Sequence, residues 1–218
     1  MSWPLVELGK VAQINPKLPQ GTDETQDVSF LAMASVSEDG VILDQETRIL
    51  SETKKGFTYF ERNDVLLAKI TPCFENGKAV LVHGLNHQVG FGSTEFHVLR
   101  PLKECLDEKY LFYMVWSDRF RFFGEKAMKG AAGQKRISTD FLKEFEIPLP
   151  PLIEQKRIAA ILDKADSLRG KRQKSIKLAE QFLRSVFLDL FGDPVTNPKG
   201  WEVKKWEDVV TIMNGKNQ

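Results

Sequence analysis

The sequence predicts a mixed α/β (α+β) head of several short strands and a few helices, followed by a long helix that forms a coiled coil. Three observations predict it. An apolar strand end at Phe145 to Leu149 passes through Pro148, Pro150 and Pro151 into a helix that runs almost to Phe191. Short apolar runs separated by turn signals fill the first two thirds of the chain. Apolar residues then recur at alternating spacings of three and four, the mark of a single helical seam.

Taken in order, Trp3 to Ile14 reads as a short amphipathic segment, with Leu5, Leu8, Val11, Ala12 and Ile14 on its apolar side. Asn15-Pro16 and Pro19-Gln20-Gly21 break it. Val28 to Ala34 reads as a strand, Glu38-Asp39-Gly40 as a turn and Val41 to Leu43 as a second short strand. Val65 to Ile70 is apolar without alternation, as in a strand covered on both faces. Asn76-Gly77 predicts a tight hairpin between that run and Lys78 to Val82. Phe96 to Leu99 is a further strand, closed by Pro101. Asp107 to Phe123 is helical in period, with Tyr110, Leu111, Met114, Val115 and Phe122 forming a core-facing stripe. Phe141 to Leu149 returns to an extended state.

The long helix starts with Pro151 in its first turn and Glu154 soon after, both suited to a helix N-terminus. Its seam is Ile158, Ile161, Leu162, Ala165, Leu168, Ile176, Ala179, Phe182, Leu183, Val186, Phe187 and Leu190. Polar residues from Arg169 to Ser175, with Gly170 among them, interrupt it. That interruption reads either as a break into two helices or as a polar layer that fixes register. Gly192 and Pro194 end the helix. A rod of roughly 35–40 residues is about 55–60 Å long at about 1.5 Å per residue. A compact head cannot cover a seam of that length, so a second copy or another subunit is expected to pair with it. Domains are expected at residues 1–148 (head), 149–192 (spacer helix) and 193–218 (tail).

The 218 residues are 42% hydrophobic and 28% charged, a balance that excludes a disordered chain. No apolar run approaches the roughly 20 residues of a membrane span. The N-terminus lacks a basic stretch followed by an apolar one, so no signal peptide is expected. Cys73 and Cys105 suggest no disulfide framework, which fits a cytoplasmic protein. Net charge is +1, so overall charge does not announce a polyanion partner. Two local basic clusters do: Lys126, Lys129, Lys135 and Arg136 around a Gly/Ala-rich loop, and Lys164, Arg169, Lys171, Arg172, Lys174 and Lys177 in mid-helix. The plain alternative for both is solvated surface.

The tail repeats the start of the chain. Trp201, Val203, Trp206, Val209, Val210 and Ile212 match Trp3, Leu5, Leu8, Val11, Ala12 and Ile14 at a constant shift, 201 − 3 = 198. Such a period implies duplication of a whole domain. The chain reads as one head-plus-rod unit followed by the first turns of a second, either an engineered fragment or a natural half-length form.

Ile147 to Ile158 (IPLPPLIEQKRI) resembles the hallmark junction of Type I restriction-modification specificity subunits, between a target recognition domain and a conserved helical spacer. Gly133 to Ser138 resembles the family's motif just upstream. Gly56-Phe57, Asp64 to Lys69 and Gly92 to Phe96 resemble further segments of such recognition domains. The resemblance implies a DNA-recognition subunit without catalytic activity. It also implies two recognition domains in a full-length member, each reading half of a split target, with helices that space them and dock the methyltransferase subunits. Through these the restriction subunit joins the complex. This chain departs from that plan in having one unit. Two copies paired through their helices would form a homodimer reading a bipartite palindrome.

The residues themselves offer no catalytic motif. Asn15-Pro16, Asp193-Pro194 and Asn197-Pro198 lack the second proline and aromatic of an adenine methyltransferase. Gly90-Phe91-Gly92 is too short for a cofactor loop, and no phosphate-binding loop exists. Asp64, Glu75 and Lys78 have the wrong spacing for a nuclease centre. His83, His87, His97 and Cys73 lack metal-ligand spacing. No cofactor or metal is expected. The candidate DNA-binding residues are Lys129, Gln134, Lys135 and Arg136 on the loop whose small residues Gly130, Ala131, Ala132 and Gly133 allow close backbone approach. Lys129, Lys135 and Arg136 are assigned to phosphates and Gln134 to a base edge. Lys69, Thr71, Lys78, Ser93 and Thr94 are further candidates at strand ends. The reading from another class is a coiled-coil scaffold whose head never touches DNA.

Overall fold

The computed structural model describes residues 3–131 and 133–211, so Ala132 and Ile212 lie outside the described residues. The chain divides into two compact units, Met1–Asp163 and Lys164–Gln218. The elements of the first are β1 (Leu5–Glu7), α1 (Leu8–Val11), β2 (Ala12–Ile14), β3 (Asp27–Leu31), β4 (Glu46–Ile49), α2 (Leu50–Thr53), β5 (Thr58–Glu61), β6 (Val65–Ala68), β7 (Ala79–Leu81), β8 (Val89–Gly92) and β9 (Phe96–Pro101). Then come α3 (Glu108–Trp116), α4 (Asp118–Ala127), α5 (Thr139–Glu144) and β10 (Glu146–Pro148). Helix α6 (Leu152–Phe191) contributes to both units, and α7 (Trp206–Val209) lies in the second.

Two four-stranded sheets form the first unit, in the orders β2-β9-β6-β7 and β4-β3-β8-β5, with a separate β1-β10 pair. All neighbours are antiparallel except β3 and β8. Strand β6 explains why its sequence does not alternate. Val65 and Leu67 join Leu8, Phe74, Leu99, Tyr110 and Phe120 in a helix-side core. Leu66 faces the opposite way, into a core shared with Leu31 and Phe60 of the second sheet. Both faces are covered, so every residue of the strand is apolar. A third cluster, Val28, Phe30, Leu50, Tyr59 and Phe91, closes the outer face of the second sheet.

Several expectations change on contact with this packing. Trp3 to Ile14 is not one amphipathic segment but β1, α1 and β2 in succession, because β1 and β2 are each claimed by a distant strand, β10 and β9. Asn76-Gly77 does not make a two-residue hairpin. Strands β6 and β7 do pair, but the whole Lys69–Lys78 segment connects them. That segment folds inward to bury the Phe74 ring against Phe120. Val41 to Leu43 supplies only the isolated bridge Ile42–Val36, with Val41 and Leu43 left exposed. The single helix expected over Asp107 to Phe123 is two, since Ser117 takes extended backbone and caps α4 with its hydroxyl. The new helix starts in a new phase, which turns Phe122 outward. Within Phe141 to Leu149, the Ser138 cap makes Phe141 to Glu144 helical, and only β10 is extended.

Helix α6 runs without a break through Arg169 to Ser175 and Gly170. Its first turns belong to the first unit, where Gln155 and Ala159 are buried and Ile158 packs on the helix-side core. The Gln155 amide is fully enclosed: its Oε1 accepts from the Asp107 N–H at 2.9 Å, and its Nε2 donates to the Cys105 and Pro150 carbonyls, both at 2.8 Å. Lys109 and Tyr113 on α3 both bond the Asp163 carboxylate. The remaining seam residues Ile161, Ala165, Leu168, Ile176, Ala179, Phe182, Leu183, Val186 and Leu190 are exposed and Leu162 is half-buried. Among the described residues no helix is long and apolar enough to cross a membrane.

In the second unit Gly192 closes α6 with φ +80°, and the Trp201 indole donates to the Phe191 carbonyl at 2.8 Å. The similarity in sequence between the two segments has a structural counterpart. Helices α1 and α7 are single turns whose bounds differ by the sequence shift, since 206 − 8 = 198 and 209 − 11 = 198. Each is preceded and followed by extended backbone, with matching closing bonds from Ala12 N–H to Leu8 O and from Val210 N–H to Trp206 O.

Replacing Gln155 by Leu would leave one buried N–H and two carbonyls without partners. At about 1–3 kcal/mol for each buried orphan, partly relieved by water, a loss of about 3 kcal/mol in urea-unfolding stability is expected. A loss below about 0.5 kcal/mol, the range of neutral surface changes, would show that the amide does not hold this junction.

Candidate nucleic-acid interface

The sequence candidates come from three separate stretches, and the first sheet brings them together. Strand β6 stops at Ala68, but its backbone continues outward as Lys69 to Thr71. On one side the Lys69 N–H donates to the Glu95 carbonyl at 2.9 Å. On the other, Ile137 N–H donates to Lys69 O at 2.9 Å and Thr71 N–H to Lys135 O at 3.0 Å, with Ile70 bridging Arg136. The Lys129–Arg136 loop is thus held to the end of β6 as an additional pairing partner.

The loop is closed by a reciprocal pair, Lys129 N–H to Arg136 O at 3.0 Å and Arg136 N–H to Lys129 O at 2.8 Å. Gly130 sits at φ +133°, and a Cβ there would lie 2.7 Å from the Gln134 carbonyl oxygen. Only glycine fits that position. Lys129, Gln134, Lys135 and Arg136 are all exposed, as is Thr94, while Lys69, Thr71, Lys78 and Ser93 are half-buried.

Not all candidates present open donors. The Thr71 hydroxyl donates to Glu75 Oε1 at 2.9 Å, and Lys78 Nζ reaches the Met33 carbonyl at 3.2 Å. Ser93 Oγ accepts from the Glu95 N–H at 3.2 Å, fixing the turn into β9. Arg136 makes a two-pronged ion pair with Glu95, Nε to Oε2 and Nη2 to Oε1, each 2.9 Å. That pair holds the Glu95 carboxyl below its usual range. Asp64, considered with Glu75 and Lys78 for a metal centre, is buried and takes both prongs of the Arg100 guanidinium at 2.8 and 2.7 Å. Burial raises its carboxyl pKa despite the arginine.

Sequence reasoning missed the roles of Glu95, His97 and Asn15 at this interface, weighing His97 only as a metal ligand and Asn15 only as part of a break. The buried His97 ring links the interface to the sheet. Its Nε2 faces the Ile137 carbonyl at 3.0 Å, and a carbonyl only accepts, so Nε2 bears the proton. Nδ1 then accepts from Asn15 Nδ2 at 3.1 Å, while Asn15 Oδ1 takes the Val98 N–H at 2.9 Å. Asn15 has φ +53°, a conformation that asparagine tolerates better than most residues.

Burial lowers the His97 pKa from its ordinary 6.5, with the Lys69 charge adding to the effect and the Ile137 bond and Glu95 opposing it. The unfolded chain therefore binds a proton at higher pH than the folded one. Stability from the neutral ring is complete above about pH 6.5 and is lost as pH falls through the lowered folded value. Urea midpoints are expected to drop between pH 7.5 and 5.5, and to drop less in His97→Gln. An equal drop in both proteins would show that another group is responsible.

Comparison with known proteins bears on the whole arrangement. The description of the Type I restriction modification DNA specificity domain matches residues 2–178. The chain is 40% identical over 194 residues to the Type I restriction enzyme EcoEI specificity subunit of Escherichia coli, covering 86% of this chain and 32% of that protein. It is 38% identical over 190 residues to the EcoAI specificity subunit of the same species, covering 84% of this chain and 32% of that protein. The chain thus spans about a third of the length of these relatives. Its fold resembles the HsdS subunit from Thermoanaerobacter tengcongensis, with TM-score 0.60 and 21% identity over 93% of this chain and 51% of that one. A chain from a type I R-M assembly gives TM-score 0.65 at 22% identity, over 93% of this chain and 52% of that one. With exposed basic loop residues gathered at one sheet end, and with a family match and relatives of this similarity, the chain belongs to the family of Type I restriction-modification DNA specificity domains.

Proposed function

We propose that this chain is a non-catalytic DNA-recognition module of a Type I restriction-modification complex, reading one half of a bipartite target in double-stranded DNA. Residues 1–148 form the target recognition domain, 149–192 the spacer helix and 193–218 the start of a second repeat. The observation that supports the reading best is the convergence of Lys69, Thr71, Lys129, Gln134, Lys135 and Arg136 at one end of the β2-β9-β6-β7 sheet. A short backbone-paired loop with exposed cations supplies the two things that sequence reading requires. Lysines on phosphates position the module, and side chains on a fixed backbone reach base edges. The family membership supplies the prior that the polyanion is DNA.

The helix supports the partner assignment. Its exposed seam, with Phe182 68%, Leu183 67% and Leu168 58% accessible, needs an apolar companion. A second copy of this chain and the methyltransferase subunits are the companions this reading assigns. Through the methyltransferase the restriction subunit would join, and all chemistry would reside in those other chains.

Two outcomes are expected. Lys129→Ala with Lys135→Ala weakens binding to every DNA sequence and lowers the slope of log affinity against log salt by about two, at ~0.9 per phosphate contact. An unchanged slope would remove the loop from the interface. Ile161→Asp or Leu183→Asp yields a single-copy mass by light scattering from a chain that otherwise pairs, with the circular-dichroism spectrum retained. A dimer mass persisting in both variants would overturn pairing through the seam.

A further inference from the structure

Arg136 differs from the lysines around it in being tethered. Its guanidinium has five N–H donors in a planar fork. Nε and one hydrogen of Nη2 are held by the two oxygens of Glu95 at 2.9 Å. One hydrogen of Nη1 leans toward the carbonyl of Gln134 at 3.3 Å, within the same loop. Among the described residues, one N–H on Nη1 and one on Nη2 then remain without a protein acceptor, on a side chain that is 43% exposed.

A guanidinium meant for phosphates gains from freedom, because the backbone can be met in many orientations. One held along its side by a carboxylate has lost that freedom and kept the donors at its tip. Two parallel N–H groups on Nη1 and Nη2 match the O6 and N7 acceptors of guanine in the major groove, the commonest arginine–base pairing. Glu95 itself is anchored twice, by its backbone carbonyl to Lys69 N–H and by its N–H to Ser93 Oγ at 3.2 Å. The brace therefore stands on the end of β9, and the arginine on the loop bridged to the end of β6.

We propose that Arg136 reads a guanine of the half-site and that Glu95 is the positioning residue that aims it. The proposal rests on the DNA-recognition reading above and changes one role suggested by the sequence: Arg136 moves from a phosphate to a base edge, while the lysines stay at phosphates. Glu95 also has a discriminating effect. Its charge offsets those of Arg136 and Lys69, so a phosphate approaching off-register meets a neutralised pair, whereas guanine meets the donors left open.

The test is selection from a randomised DNA pool with the full chain, followed by binding of the enriched site and its single-base variants. A guanine is expected at one position of the enriched half-site. In Arg136→Ala the preference at that position alone falls by about five- to 150-fold, corresponding to the ~1–3 kcal/mol of a bidentate arginine–guanine pair. The salt slope stays within about half a unit of the parent's, since no phosphate contact is lost. Glu95→Gln keeps the shape of the brace without its charge; it narrows the same preference while raising affinity for random DNA. Arg136→Lys does not restore the preference, because an ammonium lacks the fork. A uniform loss across all bases in Arg136→Ala, with the slope reduced by about one, would assign the residue to a phosphate and overturn the proposal. An enriched site without guanine, or unaltered preference in Arg136→Ala, overturns it and leaves the DNA-recognition reading standing. Enrichment of no sequence at all removes both.

Discussion

Strand β6 is enclosed on both faces, and the interface hangs from it. Val65 and Leu67 are locked by the helix-side core and Leu66 by the second sheet. A slip of one residue would exchange these faces, driving Leu66 among the aromatics and Val65 and Leu67 into the space between sheets. The register against β9 and β7 is therefore fixed, and with it the position at which the backbone leaves the sheet as Lys69. Because the loop residues bond that exit backbone directly, Thr71 to Lys135 and Lys69 to Ile137, the core's precision passes to the surface through main-chain bonds. A loop fixed by its backbone holds its side chains in place at the sheet end.

The junction after β10 applies the same economy to a helix. Three prolines in Ile147 to Pro151 restrict the approach, and the buried Gln155 amide ties the first turns of α6 to Cys105, Asp107 and Pro150. A lone buried amide costs free energy, but one whose donors and acceptor are all met by backbone groups defines a single docking of the helix start. The Lys109–Asp163–Tyr113 contacts continue this attachment for two further turns. The junction is thus a mechanical joint, with its glutamine fully buried.

Several of these features were legible in the sequence, and the reasons the others were not are physical. The apolar run at Val65 to Ala68 announced a strand covered on both sides, and glycines among cations marked Lys129 to Arg136 as a surface loop. The seam of α6 showed in its spacing, although the polar stretch around Gly170 left its continuity open; its lysines, arginines and glutamine are good helix formers and favour the continuous helix, against the cost of Gly170. Neither Glu95 nor His97 gave a local signal of the partner it bonds. His97 is a single polar residue in an apolar strand and Glu95 follows the polar Ser93 and Thr94, and the partner of each lies about 40 residues away, reached only once β9 and the loop flank the end of β6. The tight hairpin suggested by Asn76-Gly77 failed for a related reason: burial of Phe74 outweighs the local turn preference.

The duplicated segment separates local from long-range causes within one molecule. In the first copy, Leu8, Val11 and Ala12 are buried, α1 against α5 and Ala12 on the strand paired with β9, so the single turn α1 could owe its shape to packing. In the second copy the corresponding Trp206, Val209 and Val210 are 78%, 59% and 42% exposed, yet the same turn forms in the same register with the same closing bond. The shared features are therefore encoded by the segment itself: an extended residue before the turn, an amphipathic spacing through it and an extended residue after it. Isolated turns of this length are marginal in water. Packing in the first copy thus acts on a preference already present, selecting where the turn sits while the segment determines what it is.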